Sequence, residues 1–227
     1  MSAQPSPGAL FLSYGEVRVV YQDYQSLAPG QWLTDTVLEF WETYLEFEEL
    51  SKHPASRVLF IRPALVAMIR HVDQAKDAIM PLLEDCHDAT HLFIPVNDGG
   101  STTSGSHWSL LVLSMNDRVA FHYDSVCNYH HSTAVTIIQN LGSVLGLDLK
   151  LVEMKNTPQQ DNTWDCGVYV LWAMKHLLVR RLLAVDRDKL VDMCLRGKRL
   201  NPEKMRTEVI AVMDALRKQA CRRASPQ

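Results

Sequence analysis

The chain has 227 residues, of which 47% are hydrophobic and 22% are charged, and it carries a formal charge of −3 at pH 7. This length and composition suit one globular domain with a sizeable core, and they exclude extensive disorder and fibrous structure. The near-balanced charge does not indicate a nucleic-acid partner: only the stretch from Lys198 to Arg223 is locally basic, and its interspersed acidic residues favour a solvated helix face.

The first part of the chain predicts a short β-rich segment followed by a long helix. Residues 1–9 include two prolines and are interpreted as a flexible tail. Val17–Tyr21 is β-like. After a proline-glycine break, apolar residues recur at helical spacing from Leu33 to Leu45. Thr34 and Asp35 are suited to capping the first turn of that helix.

The middle of the chain changes from helices to strands. Two helices are predicted first, Pro63–Arg70 and Gln74–Leu83, because proline is favoured at a first helical position and apolar residues follow. Compact runs of aromatic and branched residues then predict strands of one sheet, and a Gly- and Ser-rich loop, Asn97–Ser106, separates the first two. The runs are His91–Val96, His107–Ser114, Val119–Asp124 and Leu149–Met154.

The last part of the chain is mainly helical. Helices are predicted over Ser132–Leu145, Gly167–Leu183 and Pro202–Lys218, and residues 219–227 are interpreted as a C-terminal tail. With helices first, then strands, then helices again, the fold class is α+β. We expect a single domain over residues 10–218 with a central mixed sheet flanked by helices.

Cysteine usage and the N-terminus indicate a reducing compartment. The N-terminus lacks a basic start and an apolar h-region, and no stretch approaches the roughly 20 apolar residues of a membrane span. An odd number of cysteines without a regular framework fits free thiols. We therefore expect a soluble monomer, cytoplasmic and/or nuclear, without nucleic-acid or membrane partners. The cysteines are Cys86, Cys127, Cys166, Cys194 and Cys221.

Two predicted strands bring a histidine and an aspartate together. If a turn at residues 116–117 joins the strands, opposed residues have numbers that sum to about 233, so that Asp124 faces Ser109 and His107 faces Val126. A two-residue shift would instead pair His107 with Asp124 directly. Both registers place the two side chains on one face of the sheet. The carboxylate can then fix one imidazole tautomer and leave the other nitrogen free to take a proton.

Cys166 is the candidate nucleophile for this pair. It lies where the polar loop Thr157–Asp165 meets a helix, and backbone N–H groups and the helix dipole favour a thiolate there. Gly167 leaves room for a substrate backbone. A lone buried cysteine is usually inert, as a lone histidine beside tryptophan is usually packing. The coincidence of cysteine, histidine and aspartate therefore carries the prediction of nucleophilic catalysis.

The residues around Cys166 resemble the nucleophile motif of the ubiquitin-like-protein proteases, also called sentrin-specific proteases. From Gln160 the chain reads QDNTWDCGVYV, and the family motif has an aromatic-Asp-Cys-Gly core with Gln six residues before the Cys. His107 with the following Trp matches the family's His-Trp pair, and Asp124 matches its Asp motif. The resemblance implies a His-Asp-Cys triad in which His107 is the base, and it implies that Gln160 and the backbone N–H of Cys166 form the oxyanion hole.

A further match lies upstream. Trp32-Leu33-Thr34-Asp35 resembles the Trp-Leu-Asn-Asp motif of the family, with Thr34 in place of Asn. The resemblance implies that Trp32 and Trp108 close over the diglycine tail of the substrate and that Asp35 binds its backbone or basic side chains. Residues with a Cβ would clash between two indole planes, so this arrangement would select glycine.

The resemblance extends from about Leu10 to Lys218, and it is strongest to the deneddylase branch (sentrin-specific protease eight). It implies a thiol isopeptidase or endopeptidase that cleaves after the C-terminal diglycine of a ubiquitin-like modifier. Nedd is the first candidate, in conjugates or as a precursor, and SUMO is the second. The family resemblance implies no cofactor.

Two alternatives remain open from the sequence. One is a binding module that grips a ubiquitin-like protein without cutting it. The other is structural zinc, for which both candidate ligand sets lack a second pair at convincing spacing. Cys127 and Cys194 are otherwise interpreted as packing residues and Cys221 as exposed. The zinc sets are His122, Cys127, His130 and His131, and Cys86, His87 and His91.

Overall fold

A five-stranded mixed sheet forms the centre of the computed structural model, which describes residues 5–72, 76–99, 105–185 and 191–224. The strand order is β3-β4-β5-β6-β7, with β4, β5 and β6 antiparallel and the two edge strands parallel to their neighbours. The predicted α+β class and mixed sheet are confirmed. The strands are β3 (Val58–Phe60), β4 (His91–Asn97), β5 (Trp108–Ser114), β6 (Val119–Tyr123) and β7 (Lys150–Glu153).

Helices cover both faces of this sheet and enclose two apolar cores. One core contains residues of α2, α6 and α7 together with an N-terminal hairpin and a short helix, whereas the other contains residues of α3 and α5. The N-terminal elements are β1 (Leu10–Tyr14), β2 (Val17–Val20) and α1 (Tyr21–Gln25). The other helices are α2 (Asp35–Glu48), α3 (Pro63–Arg70), α4 (Lys76–Ile79), α5 (His131–Leu145), α6 (Cys166–Leu177) and α7 (Pro202–Ala224).

The central strand β5 is buried along its whole length. Leu110 and Val112 pack into the core that contains α6, and Leu111 and Leu113 pack into the core that contains α3 and α5. Because side chains alternate along a strand, burial on both faces requires a continuous apolar run instead of an alternating one. His107 directly precedes this strand, so the buried strand fixes the position of His107 at its N-terminal end.

Two predicted helices have different ends or geometry. In place of a helix over Gln74–Leu83, α4 is a single short turn that continues as a 3₁₀ helix, Met80–Asp88, and Gln74 lies outside the described residues. Pro81 lacks the N–H that would continue the α-helical ladder. The helix predicted to end at Leu183 changes to a π turn at Leu178–Leu182.

The chain ends also differ from the predicted tails. The terminal helix α7 continues to Ala224, past the predicted end at Lys218. At the N-terminus, residues 1–4 lie outside the described residues, and the Ala9 carbonyl accepts a hydrogen bond from the Tyr21 N–H at 3.0 Å. None of the helices within the described ranges combines the length and the apolar character needed to cross a bilayer.

Thr34 occupies the N-cap position of α2, but it does not cap the helix with its side chain. Its hydroxyl donates to Asp23 Oδ1 at 2.8 Å. Asp23 in turn accepts a hydrogen bond from the Val20 N–H. The predicted side-chain cap is therefore wrong, because the hydroxyl ties the start of α2 to α1 instead.

Candidate functional site

The β5–β6 hairpin brings His107 and Asp124 into direct contact. Ser114 pairs with Val119 and Leu110 pairs with Tyr123, so the register in which Asp124 lies opposite Ser109 is confirmed. His107 precedes β5 and Asp124 follows β6. As diagonal neighbours on one face, they meet with His107 Nε2 at 2.7 Å from Asp124 Oδ1.

The carboxylate of Asp124 is fixed by backbone donors as well as by the imidazole. Oδ1 also accepts from the Val126 N–H, and Oδ2 accepts from the His130 N–H, each at 2.9 Å. Burial alone would raise the pKa of Asp124, but the hydrogen bonds from His107 and from these two N–H groups lower it below its ordinary value. Asp124 is therefore held ionised and in one orientation.

The imidazole of His107 contacts both the carboxylate and the thiol. Burial alone would lower its pKa, but hydrogen bonds to Asp124 and Cys166 raise the pKa of His107 to about 9. Nε2 is occupied by Asp124, which leaves Nδ1 for Cys166. Proton transfer between thiol and imidazole is thus geometrically available, and the adjacent carboxylate favours the imidazolium that would form.

Cys166 is the first residue of α6 and is almost fully buried. At this position the unpaired N–H groups and the positive end of the helix dipole stabilise a negative charge on sulfur. Gly167 has a packing role that the sequence did not reveal. A Cβ there would lie 3.1 Å from the Cβ of Leu33, so glycine lets the segment that precedes α2 pack closely on α6.

The two neighbouring glutamines, Gln159 and Gln160, have different hydrogen bonds. Gln159 accepts from the Cys127 N–H, and its amide group donates to the carbonyls of Asp124 and Thr157. Both of its N–H bonds are therefore used. The side-chain oxygen of Gln160 accepts from the Ser125 hydroxyl, and its side-chain nitrogen donates once, to Asn162 O at 2.7 Å. Its second amide N–H has no acceptor among the described residues.

The two candidate tryptophans differ in exposure. Trp32 is 44% exposed, whereas Trp108 is 3% exposed and donates from Nε1 to Leu33 O at 3.3 Å. The structure therefore brings Trp108 against the residue that follows Trp32. Asp35 is exposed at the first turn of α2.

The sequence did not predict a chain of buried polar side chains behind the His107–Asp124 pair. The ring of His130 packs edge-on against His107, with centroids 4.6 Å apart. Ser109 Oγ lies 3.0 Å from both His130 Nδ1 and His122 Nε2, and His122 Nδ1 lies 2.8 Å from Glu153. Strand parity, which places Ser109 and His122 on one face, was the available signal.

The environment of His130 keeps its imidazole neutral. Its pKa falls to about 4, first because the ring is buried and then because the charge on His107 opposes a second positive charge nearby.

Two residues proposed as zinc ligands, His122 and His131, bind opposite oxygens of the Glu153 carboxylate. Within the described ranges, no group of three or more His, Cys, Asp or Glu side chains is arranged to hold a metal.

Two further expectations from the sequence are wrong. Cys127 is exposed and is not a packing residue. Arg206, in the stretch interpreted as a solvated helix face, is buried at 4% exposure and binds Asp165 next to Cys166. The position of Arg206 beside the apolar stripe residues Met205 and Val209 was the only sequence signal of its burial.

Comparison with known proteins matches most of the chain to one family. Residues 31–201 match the model of the Ulp1 protease family, C-terminal catalytic domain. The NEDD8-specific protease 2 of Schizosaccharomyces pombe is 31% identical over 91% of this chain, which spans 51% of that relative's length. Sentrin-specific protease 8 of Homo sapiens is 32% identical to this chain, and the matched region covers 70% of this chain and 77% of the length of that relative.

A solved structure shares the fold. The yeast Ulp1 protease domain in complex with Smt3, the yeast ortholog of SUMO, has a TM-score of 0.65 at 20% identity, covering 95% of this chain and 91% of the Ulp1 chain. The likeness to this structure concerns the fold, and the match to the family model concerns the sequence. The chain belongs to the Ulp1 family of cysteine proteases.

Proposed function

We propose that this chain cleaves after the C-terminal diglycine of a ubiquitin-like modifier, with Cys166 as the nucleophile and NEDD8 as the preferred modifier. The observation that carries the proposal is the contact of His107 with Asp124 on one side and with Cys166 on the other. This arrangement joins a nucleophile, a base and an orienting carboxylate in the order that thiol catalysis needs.

Acylation follows from the positions of these groups. His107 accepts the thiol proton, and the Cys166 sulfur attacks the carbonyl carbon of the terminal glycine. The resulting oxyanion accepts hydrogen bonds from the backbone N–H of Cys166 and from the unused amide N–H of Gln160. His107 then donates its proton to the departing amine, and the C–N bond breaks to leave a thioester on Cys166.

Deacylation uses the same residues. His107 takes a proton from water as the water attacks the thioester carbonyl. The C–S bond then breaks, the Cys166 thiolate stays on the enzyme beside protonated His107, and the modifier departs as a carboxylic acid that loses its proton to solvent. Asp124 stabilises the imidazolium in both half-reactions. The pKa of His107, raised to about 9, keeps the imidazole able to act as a proton donor at neutral pH.

Three residues are proposed to bind the tail. Exposed Trp32 supplies one indole wall, and Trp108, held against Leu33, supplies the floor on the side of His107. A narrow channel between two indoles admits glycine and rejects residues with a Cβ. Asp35, which is exposed in the first turn of α2, is proposed to bind the backbone or basic side chains of the modifier. The proposal of NEDD8 as the modifier is supported by the names of two relatives that are 31% and 32% identical to this chain, NEDD8-specific protease 2 and sentrin-specific protease 8.

A side-by-side turnover assay tests the choice of substrate. NEDD8, SUMO and ubiquitin, each with a fluorogenic group on the C-terminal glycine, are supplied at equal concentration. We expect NEDD8 to give the largest kcat/KM. A NEDD8 tail ending in two alanines serves as the matched control. We expect no turnover from it, because the Cβ atoms of alanine would clash with the indoles of Trp32 and Trp108.

Two other results of this assay would contradict the proposal. Preferential turnover of SUMO would assign the chain to the SUMO-specific proteases of the family and refute NEDD8 preference. Binding of a modifier without turnover would identify a non-catalytic binding module and refute the proposed chemistry.

A further inference from the structure

A buried arginine on the terminal helix connects the segment that leads into Trp32 with the segment that leads into Cys166, which are the two sides of the proposed tail-binding cleft. Arg206 lies in the second turn of α7 and is 4% exposed. It also lies outside residues 31–201, which match the family model. A buried guanidinium is stable only when its N–H groups find acceptors, so the identity of those acceptors shows what the residue holds together.

One set of acceptors belongs to the segment that carries the nucleophile. Nε and Nη2 of Arg206 donate to Asp165 Oδ1 at 3.1 and 2.7 Å, and Nη2 also reaches the Trp164 carbonyl at 3.4 Å. Asp165 and Trp164 directly precede Cys166. The guanidinium therefore fixes the chain at the point where it enters α6.

The other acceptors belong to the segment that leads into Trp32. Nη1 and Nη2 of Arg206 donate to three backbone carbonyl oxygens between α1 and α2. These are Ser26 O at 3.0 Å, Ala28 O at 3.1 Å and Gln31 O at 2.7 Å. With these bonds all five N–H groups of the guanidinium have acceptors.

The Asp165 carboxylate extends this network toward Gln160. Asp165 Oδ2 accepts from Asn162 Nδ2 at 2.8 Å, and Asn162 Oδ1 accepts from the Trp164 and Asp165 N–H groups. The Asn162 carbonyl is also the acceptor for the Gln160 amide at 2.7 Å. Arg206 is thus connected to the proposed oxyanion donor, Gln160, through the hydrogen bonds of Asp165 and Asn162.

We propose that Arg206 is a positioning residue that holds the Trp32 side of the cleft at a fixed distance from Cys166 and Gln160. The inference rests on the proposed function, because it concerns the channel for the modifier tail. The hydrogen bonds of Arg206 do not involve His107 or Asp124, whose positions depend on the β5–β6 hairpin. Its loss should therefore disturb tail-directed chemistry more than the intrinsic reactivity of the thiol.

The test substitution is Arg206→Lys, which keeps the charge but removes the planar fork of donors. A lysine offers three N–H groups on a flexible stem and cannot reach both segments at once. Arg217→Lys is the matched control: Arg217 lies on the same helix, stacks on Phe11 and donates to the Tyr21 hydroxyl, away from the cleft.

Two rates are compared on folded protein, at a temperature where circular dichroism shows wild type and both variants fully folded. The first is covalent labelling by NEDD8 carrying a C-terminal vinyl sulfone. The second is alkylation of Cys166 by iodoacetamide, followed on the Cys166 peptide by mass spectrometry. We expect Arg206→Lys to lower the first rate about 100-fold, because misplacement by about 1 Å has that effect. The second rate should stay unchanged, and Arg217→Lys should alter neither.

Parallel loss of both rates in Arg206→Lys, or loss of neither, would overturn the proposal. If Arg206→Lys does not fold, Asp165→Asn takes its place, since Asn keeps an oxygen acceptor but removes the ion pair. An unchanged ratio of probe labelling to alkylation in Asp165→Asn would then overturn it. Failure of the wild-type protein to be labelled would instead refute the proposed function and is recognised separately.

Discussion

Asp124→Asn is expected to lower kcat by about 10⁴-fold, the size of effect seen when a triad carboxylate becomes an amide. Asp124 Oδ1 accepts from His107 Nε2 at 2.7 Å, and an amide N–H at that place would favour the opposite imidazole tautomer. The proton would then lie on Nδ1, toward the thiol that must lose its own proton. Steady-state kinetics with a tail-labelled modifier measures the loss.

The same substitution should shift the pH dependence. The hydrogen bond and the charge of Asp124 help to raise the pKa of His107 to about 9, so their removal lowers that pKa. His107 must be protonated to donate to the leaving amine, and it is mostly protonated only at a pH below its pKa. The alkaline limb of the pH–rate profile should therefore move to lower pH in Asp124→Asn.

A carboxylate at the other end of the same hairpin provides the control. Asp117 accepts a hydrogen bond from the Ser114 hydroxyl in the β5–β6 turn, far along the strands from His107. Asp117→Asn should keep both kcat and the alkaline limb. Similar rate losses in the two variants would show that hairpin stability, and not orientation of the imidazole, explains the effect of Asp124→Asn.

Gln160→Ala is expected to lower kcat by about 10²- to 10³-fold, as loss of a side-chain oxyanion donor does. KM should change little, because the hydrogen bond strengthens only as negative charge develops on the carbonyl oxygen. The structural basis is the second N–H of the Gln160 amide, which has no acceptor among the described residues, while the first is fixed on Asn162.

Gln159→Ala is the matched control, one residue away in the same loop. The side-chain hydrogen bonds of Gln159 connect it to the segment 124–127 and to Thr157 of its own loop. Because Gln159 is exposed, its replacement should lower the free energy of unfolding by only about 0.5–1.5 kcal/mol and change kcat far less than Gln160→Ala does. A larger kcat loss in Gln159→Ala would contradict the assignment of Gln160.

The parts of the site that depend on local periodicity could be predicted from the sequence. Side-chain alternation and a turn at residues 116–117 were enough to place His107 and Asp124 on one face, because register follows from turn position. The strand predicted over His107–Ser114 likewise corresponds to β5, whose apolar run Leu110–Leu113 is typical of a strand buried on both faces. The start of α6 at Cys166 follows from the change from a polar loop to an apolar run.

Contacts between distant segments could not be predicted in this way. Arg206 and Ser26 are 180 residues apart, and nothing in either segment alone specifies that one binds the other. The closeness of Gly167 to Leu33 and the Ser109 bridge between His122 and His130 also arise only when the helices and the sheet pack together. Local signals were likewise overridden at Thr34, whose hydroxyl binds Asp23 instead of capping α2.

The site of covalent attachment of NEDD8–vinyl sulfone tests most directly whether Cys166 attacks the tail of a ubiquitin-like modifier. Cys127 and Cys221 are exposed and serve as internal controls for nonspecific reaction, since Cys166 is buried. After digestion, mass spectrometry should find the modifier on Cys166 alone, and Cys166→Ala should remain unlabelled. Attachment to Cys127 or Cys221, or binding of NEDD8 with no adduct, would contradict the account.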